Sequence, residues 1–154
     1  MGAIESCFAG LAPVNIASGP PRPGGARLSP RRLRRAIEFM RAHIDGDVRV
    51  ERIAAAASLS VFHFSRAFRN TTGLSPYRYL LHCRVARVRE LLAADERPLA
   101  EVAALAGFAD QSHMTNVFRR LTGTTPLRYR HERIAAALEG KAAKDATKDS
   151  GRAS

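Results

Sequence analysis

The sequence predicts an all-α fold of about seven helices, in which a long connecting helix joins two helix-turn-helix units. The first observation is an internal repeat, because residues 58–79 recur as residues 107–129, with an offset of 50 from His63 onward. Upstream the offset is 49, which pairs Ile53 with Val102, and a one-residue change is accommodated most easily in a turn. Each copy therefore predicts helix, turn, helix. The offset of 50 aligns His63 with His113, Phe68 with Phe118, Gly73 with Gly123, and Tyr79 with Tyr129.

The second observation is a set of capping signals that bounds the helices of the first half. A serine just before the first helical position, with or without proline at that position, indicates a helix start, and a glycine indicates a helix end. Two of the serines here, Ser29 and Ser75, are followed by proline. In the first helix, apolar residues recur at i, i+4, i+7 and i+11 as far as Ile44, so one face is expected in the core. The predicted helices span about 30–44 after Ser29, about 50–57, about 61–72 after Ser60, and about 76–94 after Ser75.

The second half repeats this order and is followed by a polar tail. Its predicted helices span about 98–106 before Gly107, about 111–122 after Asp110, and about 126–138 after Thr125. The Pro/Gly-rich linker and the tail without apolar periodicity predict disorder. We therefore divide the chain into a disordered N-terminal segment with its linker over 1–28, a double helix-turn-helix domain over 29–138, and a disordered tail over 139–154.

The third observation is charge. The chain of 154 residues has a formal net charge of +11 and a sequence pI of about 11.1. The excess is not confined to the tails, since residues 29–138 hold 19 Lys and Arg against 10 Asp and Glu. A basic folded domain indicates a polyanionic partner, which is either nucleic acid or an anionic membrane surface. Two helix-turn-helix units favour double-stranded DNA.

Catalytic, metal and membrane motifs are not found in the sequence. It has no nucleophile elbow, no HExxH and no phosphate-binding glycine loop, so we expect no enzyme, no metal site and no cofactor. Cys7 and Cys83 lack the spacing of a zinc site or a disulfide framework. No apolar run approaches the roughly 20 residues of a membrane span, so we expect no membrane partner and a cytoplasmic, nucleoid-associated protein.

The predicted helix over 61–72 has two distinct faces. Phe64 and Phe68, four residues apart, are expected to pack beneath the turn. A second face carries Phe62, Ser65, Arg66 and Arg69. Arginine and small polar side chains on an exposed stripe are what base-edge readout in the major groove requires. For the Phe62 ring two alternatives stay open: contact with a thymine methyl group or sugar, or packing back onto the core.

The predicted helix over 111–122 repeats the plan. Met114 and Phe118 are expected to face inward. The repetition of His63 as His113 favours a structural role, such as a hydrogen bond across the turn, because no second metal ligand lies at usable spacing. The other faces carry Gln111, Ser112, Thr115, Asn116 and Arg119.

Arginines near the helix ends are better placed for phosphates than for bases, so they set register without reading sequence. Three of them lie late in the predicted helices over 61–72 and 111–122, and two lie early in the helices that follow. The candidates are Arg69, Arg119, Arg120, Arg78 and Arg128.

The span 28–132 resembles the DNA-binding domain of the AraC/XylS family of bacterial transcription regulators. The specific motifs are Gly-Phe, Asp-Gln-Ser, Phe-Arg and Gly-x-x-Pro-x-x-Tyr-Arg within 98–130. The resemblance implies two homeodomain-like units, each placing its second helix in the major groove, and a small stand-alone member. Many relatives carry Arg where this chain has Asn116, so specificity there does not transfer. The base-reading positions it implies are Phe62, Ser65, Arg66, Gln111, Ser112, His113 and Asn116.

These inferences predict a sequence-specific DNA-binding transcription regulator, acting as a monomer and as an activator, with RNA polymerase as a possible further partner. Two other classes remain open. One is a helical adaptor that binds an acidic protein such as RNA polymerase, and the other is sequence-independent DNA compaction. The operator sequence and the regulated genes are not encoded in these patterns.

Overall fold

The computed structural model describes residues 25–150, with side chains as far as residue 144. This part of the chain forms seven helices and no strand, which confirms the predicted fold class. None of these helices is long and apolar enough to cross a membrane. The helices are α1 Pro30–Ala42, α2 Val50–Ala56, α3 Val61–Thr72, α4 Pro76–Ala94, α5 Leu99–Leu105, α6 Gln111–Thr122 and α7 Pro126–Ser150.

Local hydrogen bonds account for the helix ends. Ser60 caps α3 by accepting from the His63 backbone N–H, and Asp110 caps α6 by accepting from the His113 N–H at 2.7 Å. Both helices end at a glycine in the left-handed region, with φ of 79°. Only a residue without a Cβ adopts this conformation at little cost, so the repeated capping and glycine signals predict these ends correctly.

Helix α4 contributes to two separate hydrophobic cores. Its first part supplies Tyr79, Leu80 and Cys83 to a core formed with α1, α2 and α3. Its remainder supplies residues to a second core formed with α5 and α6, namely Leu81, Val85, Val88, Leu91 and Leu92. Each helix-turn-helix unit therefore folds around its own core, and α4 is the element that the two cores share.

Arg84 ties the middle of α4 to the turn after α1, at the point where the second unit approaches that turn. Its guanidinium is buried and donates from Nε to the Ile44 carbonyl at 3.2 Å and from Nη2 to the Gly46 carbonyl at 2.9 Å. Ile44 lies in the turn after α1, which ends at Ala42 rather than at the end of the predicted apolar stripe. From the second unit, Gly107 approaches so closely that a Cβ there would lie 1.9 Å from the Ile44 oxygen.

The segment before α1 departs from the prediction of disorder for 1–28. Leu28 is buried in the first core and its N–H donates to the Thr71 hydroxyl at 2.9 Å. The Asn70 amide donates to the Ala26 carbonyl at 3.1 Å. These contacts tie residues 26–28 to the end of α3, because burial of a leucine and two hydrogen bonds offset the loss of chain entropy. The rest of the predicted segment, over 1–24, lies outside the described residues.

The last helix also differs from its predicted end near 138, since α7 continues to Ser150. Tyr129 and Arg130 pack against the domain, and residues 131–144 are exposed. Without packing, the helix is maintained by intrinsic propensity, because this stretch is rich in Ala, Lys and Glu. The predicted tail over 139–154 is therefore helical as far as residue 150, and residues 151–154 are not described.

We expect Gly107→Ala to destabilise the protein more than Gly123→Ala, although both glycines have a φ of 79°. A left-handed alanine costs about 1–2 kcal/mol at either position. At Gly123 nothing lies within 4 Å of the new Cβ, whereas at Gly107 the overlap with the Ile44 carbonyl adds an overpacking cost of about 1–3 kcal/mol. Urea unfolding followed by circular dichroism measures both values. Equal losses would show that the contact between the units is not close in solution.

Candidate nucleic-acid interface

Helix α3 separates a buried face from an exposed one as the sequence predicts. Phe64 and Phe68 are fully buried with ring centroids 5.3 Å apart, and Phe68 also packs edge-on against Tyr79. On the other side Arg66 and Arg69 are exposed and Ser65 is half-buried. The core contacts therefore fix the rotation of α3 about its axis, and this rotation leaves the candidate base-reading stripe accessible.

The orientation of Phe62 excludes one of the two alternatives that the sequence left open. The ring is 65% exposed, so it does not pack back onto the core. Instead, the Arg66 guanidinium lies over it, with Cζ 5.4 Å from the ring centroid. A cation over an aromatic face is attracted by the ring quadrupole, and the pair restricts where the guanidinium points. Phe62 thus forms an exposed surface that orients Arg66.

The two repeated histidines make different contacts. The His63 ring is exposed and its Nδ1 lies 2.8 Å from the hydroxyl of Ser60, the residue that caps α3. The His113 ring is half-buried and packs edge-on against Phe108 in the turn, with centroids 5.3 Å apart. Each ring therefore supports its turn, through a hydrogen bond in the first unit and a ring contact in the second.

Helix α6 repeats the division with different chemistry. Met114, Val117 and Phe118 are buried in the second core. Among the described residues, none forms a hydrogen bond with the side chains of the exposed residues Gln111, Ser112 and Asn116. Their amide and hydroxyl groups are consequently available to a ligand, and the stripe is polar and neutral where α3 presents arginine.

The five candidate phosphate-binding arginines lie at the surface. No ion pair within the described residues engages Arg69, Arg119 or Arg120, and all three side chains are exposed. Arg128 differs because its Nε lies 2.8 Å from Glu132. That pair is solvent-exposed and one turn apart on a helix, so it contributes little stability and competes only weakly with a phosphate.

His82 lies beneath two of these cations. It is buried in α4, and burial together with the charges of Arg78 and Arg120 lowers its pKa to about 4. The ring is therefore neutral near pH 7, where it adds no charge to the surface. The described residues also contain no cluster of His, Cys, Asp or Glu that could hold a metal ion.

Sequence reasoning missed the contact that positions the two units. Arg84 lies in an apolar stretch of α4, and nothing local shows that its side chain reaches back to the turn after α1. One signal was available, because Ser58 and Gly107 are equivalent in the repeat and both adopt positive φ, of 56° and 79°. A glycine at a position where the other copy tolerates serine indicates a close approach by another part of the chain.

Comparisons with known proteins agree with this geometry. Residues 53–132 match the protein family described as the helix-turn-helix domain. The DNA-binding domain of the global transcriptional factor AdpA, solved in complex with a target DNA, is 32% identical, with a TM-score of 0.64 over 68% of this chain and 94% of that one. An AraC-type regulator from Chromobacterium violaceum is 26% identical, with a TM-score of 0.64 over 67% of this chain and 92% of that one.

Curated relatives give the same assignment from sequence. The probable transcriptional regulator LumQ of Photobacterium leiognathi is 33% identical over 59% of this chain and 37% of its own length. The transcriptional activator RhaS of Escherichia fergusonii is 34% identical over 68% of this chain and 38% of its own length. The chain thus spans a little over a third of the length of these two relatives. Taken with the two helix-turn-helix units, these matches show that the chain belongs to the AraC family of transcription regulators and carries the DNA-binding domain of that family.

Proposed function

We propose that this chain binds double-stranded DNA sequence-specifically and reads two adjacent major-groove half-sites, one with α3 and the other with α6. The observation that carries the proposal is the repeated division of these helices into a buried face and an exposed stripe of arginine, amide and hydroxyl groups. The DNA complex of the AdpA domain, whose fold this chain shares, supports it.

The side chains on the stripes suit different bases. The Arg66 guanidinium, oriented by Phe62, can donate two hydrogen bonds to guanine. Gln111 and Asn116 can each bond adenine through a bidentate amide. We assign the remaining base-reading positions to Ser65, Ser112 and His113, and the phosphate contacts to Arg69, Arg78, Arg119, Arg120 and Arg128.

Activation by a monomer follows as part of the same proposal. One chain supplies both reading helices, so a second copy is not required for two half-sites. RhaS relatives of this chain are named transcriptional activators, which favours activation over repression here. An activator of this kind acts on RNA polymerase, which is the protein partner we propose.

Competition binding tests the proposed function. A duplex selected from a random pool should outcompete random duplex, and log affinity should fall against log salt with a slope near −0.9 for each of roughly 6–10 neutralised phosphates. Equal competition by both duplexes would indicate sequence-independent compaction. Absence of DNA binding, or a nearly flat salt dependence, would leave the protein-binding adaptor.

Arg66→Ala should weaken binding to the selected duplex by about 1–3 kcal/mol and relax the preference at one base pair. Arg78→Ala is the matched control, since we assign it to a phosphate and it should weaken all sequences about equally. Fluorescence anisotropy with single-base variants of the duplex measures both effects. Uniform losses in both variants would refute the division between reading and positioning residues.

The length of α4 sets the spacing of the half-sites. Its 19 residues span about 28 Å at about 1.5 Å per residue, slightly less than the roughly 34–36 Å of one DNA turn. We therefore expect half-sites about 10 base pairs apart on one side of the duplex, without a palindrome. Inserting five base pairs between them rotates one groove to the far side, so affinity should fall to that of a single unit. Unchanged affinity in the same assay would mean that one unit alone reads DNA.

A further inference from the structure

A surface rich in arginine precedes and begins α1, and nothing in the proposed base or phosphate assignments uses it. No acidic residue interrupts it between 25 and 37. We call it the arginine patch, and it comprises Arg27, Arg31, Arg32, Arg34 and Arg35. All five side chains are exposed, and no ion pair within the described residues engages any of them.

The position of the patch on α1 is unfavourable for the helix itself. The first turn of α1 contains no acidic residue and begins with Pro30, Arg31 and Arg32. Cations near a helix N-terminus oppose the macrodipole, so this arrangement works against folding. Residues that break a local rule without a compensating contact inside the protein indicate an external partner, and here the partner must be anionic.

Two members of the patch lie beside α3. Arg27 and Arg32 line the same groove, of about 420 Å³, as Phe62, Arg66 and Asn70 of α3. The hydrogen bond from Asn70 to the Ala26 carbonyl holds residues 26–28, which we call the arm, next to α3. Duplex DNA that α3 reads would consequently pass close to both guanidinium groups.

From this juxtaposition we infer that Arg27 and Arg32 bind the phosphate backbone of the DNA next to the first half-site. The inference rests on the proposed function, and it adds a contact made by the arm and α1 rather than by either helix-turn-helix unit. Arginine donates in a fixed fork that matches phosphate oxygens, and such contacts position a protein without reading bases. The chain would therefore hold the DNA backbone beside its first half-site through two cations that α3 itself does not supply.

The test compares the double variant Arg27→Ala/Arg32→Ala with Arg34→Ala. Arg34 is on the same helix and equally exposed, but it lies about 200° of helix rotation from Arg32 and does not line the groove. The slope of log affinity against log salt should become less negative by about 1.8 when two phosphate contacts are lost. The ratio of wild-type to variant affinity should then shrink about twelvefold between 50 and 200 mM salt. Arg34→Ala should leave the slope unchanged.

Four further measurements make the outcome specific. The double variant should select the same sequence from a random pool, and hydroxyl-radical footprinting should show lost backbone protection only beside the first half-site. The double variant Arg27→Ala/Arg32→Lys keeps the charge at position 32. Its slope of log affinity against log salt should therefore be steeper than that of Arg27→Ala/Arg32→Ala. Thermal unfolding by circular dichroism should show no loss of stability, because these side chains are exposed and Arg32 opposes the dipole of α1.

Failure of this inference and failure of the proposed function give different results. The phosphate contact is overturned if the double variant has the same salt slope as the wild type, or if Arg34→Ala loses as much of the slope as the double variant. In either case the wild type would still prefer the selected duplex. A wild type without that preference overturns the sequence-specific function, and a wild type that binds no DNA overturns both.

Discussion

The guanidinium of Arg84 donates to the carbonyl groups of Ile44 and Gly46, and Gly107 closes over the same turn from the second unit. Three parts of the chain, separated by about 40 and 23 positions, therefore meet at one buried cation. Each core folds around its own part of α4, so neither core alone fixes how one unit is rotated against the other. Helix α4 links the two cores, the Arg84 contact adds a second constraint at the turn after α1, and under the proposed function the spacing of the two half-sites depends on both.

The two units differ at the turn where they meet. Ser58 and Gly107 are equivalent in the repeat, yet Ser58 is exposed and retains a side chain at positive φ. Gly107 faces the Ile44 carbonyl, where no Cβ fits. A repeated unit can keep its fold while its contact surface changes, because the fold depends on the core and caps, whereas the contact depends on single atoms at the turn. A close approach of backbone therefore joins the two units at this turn.

Much of this arrangement could be predicted from the sequence, because local chemistry decides it. The caps at Ser60 and Asp110 and the left-handed glycines bound α3 and α6 without tertiary information. Other features depend on what lies nearby in space. The reach of Arg84, the burial of Leu28 and the stacking of Arg66 on Phe62 require coordinates. The long α7 was missed for a different reason, since apolar periodicity does not report a helix maintained by propensity alone.

The distribution of charge gives the units different roles under the proposed function. Helix α3 presents Arg66 and Arg69, and the arginine patch adds further cations beside the same groove. The first turns of α6 present neutral amides and hydroxyls, and its exposed arginines lie at the far end. Both units would also hold phosphates, the first through Arg69 and Arg78 and the second through Arg119, Arg120 and Arg128, and this attraction falls off over about 8–10 Å at physiological salt. The units would then differ in the chemistry of their base-reading stripes, which is cationic in α3 and neutral in α6, and the helix α4 that both cores share makes the register of one stripe dependent on that of the other.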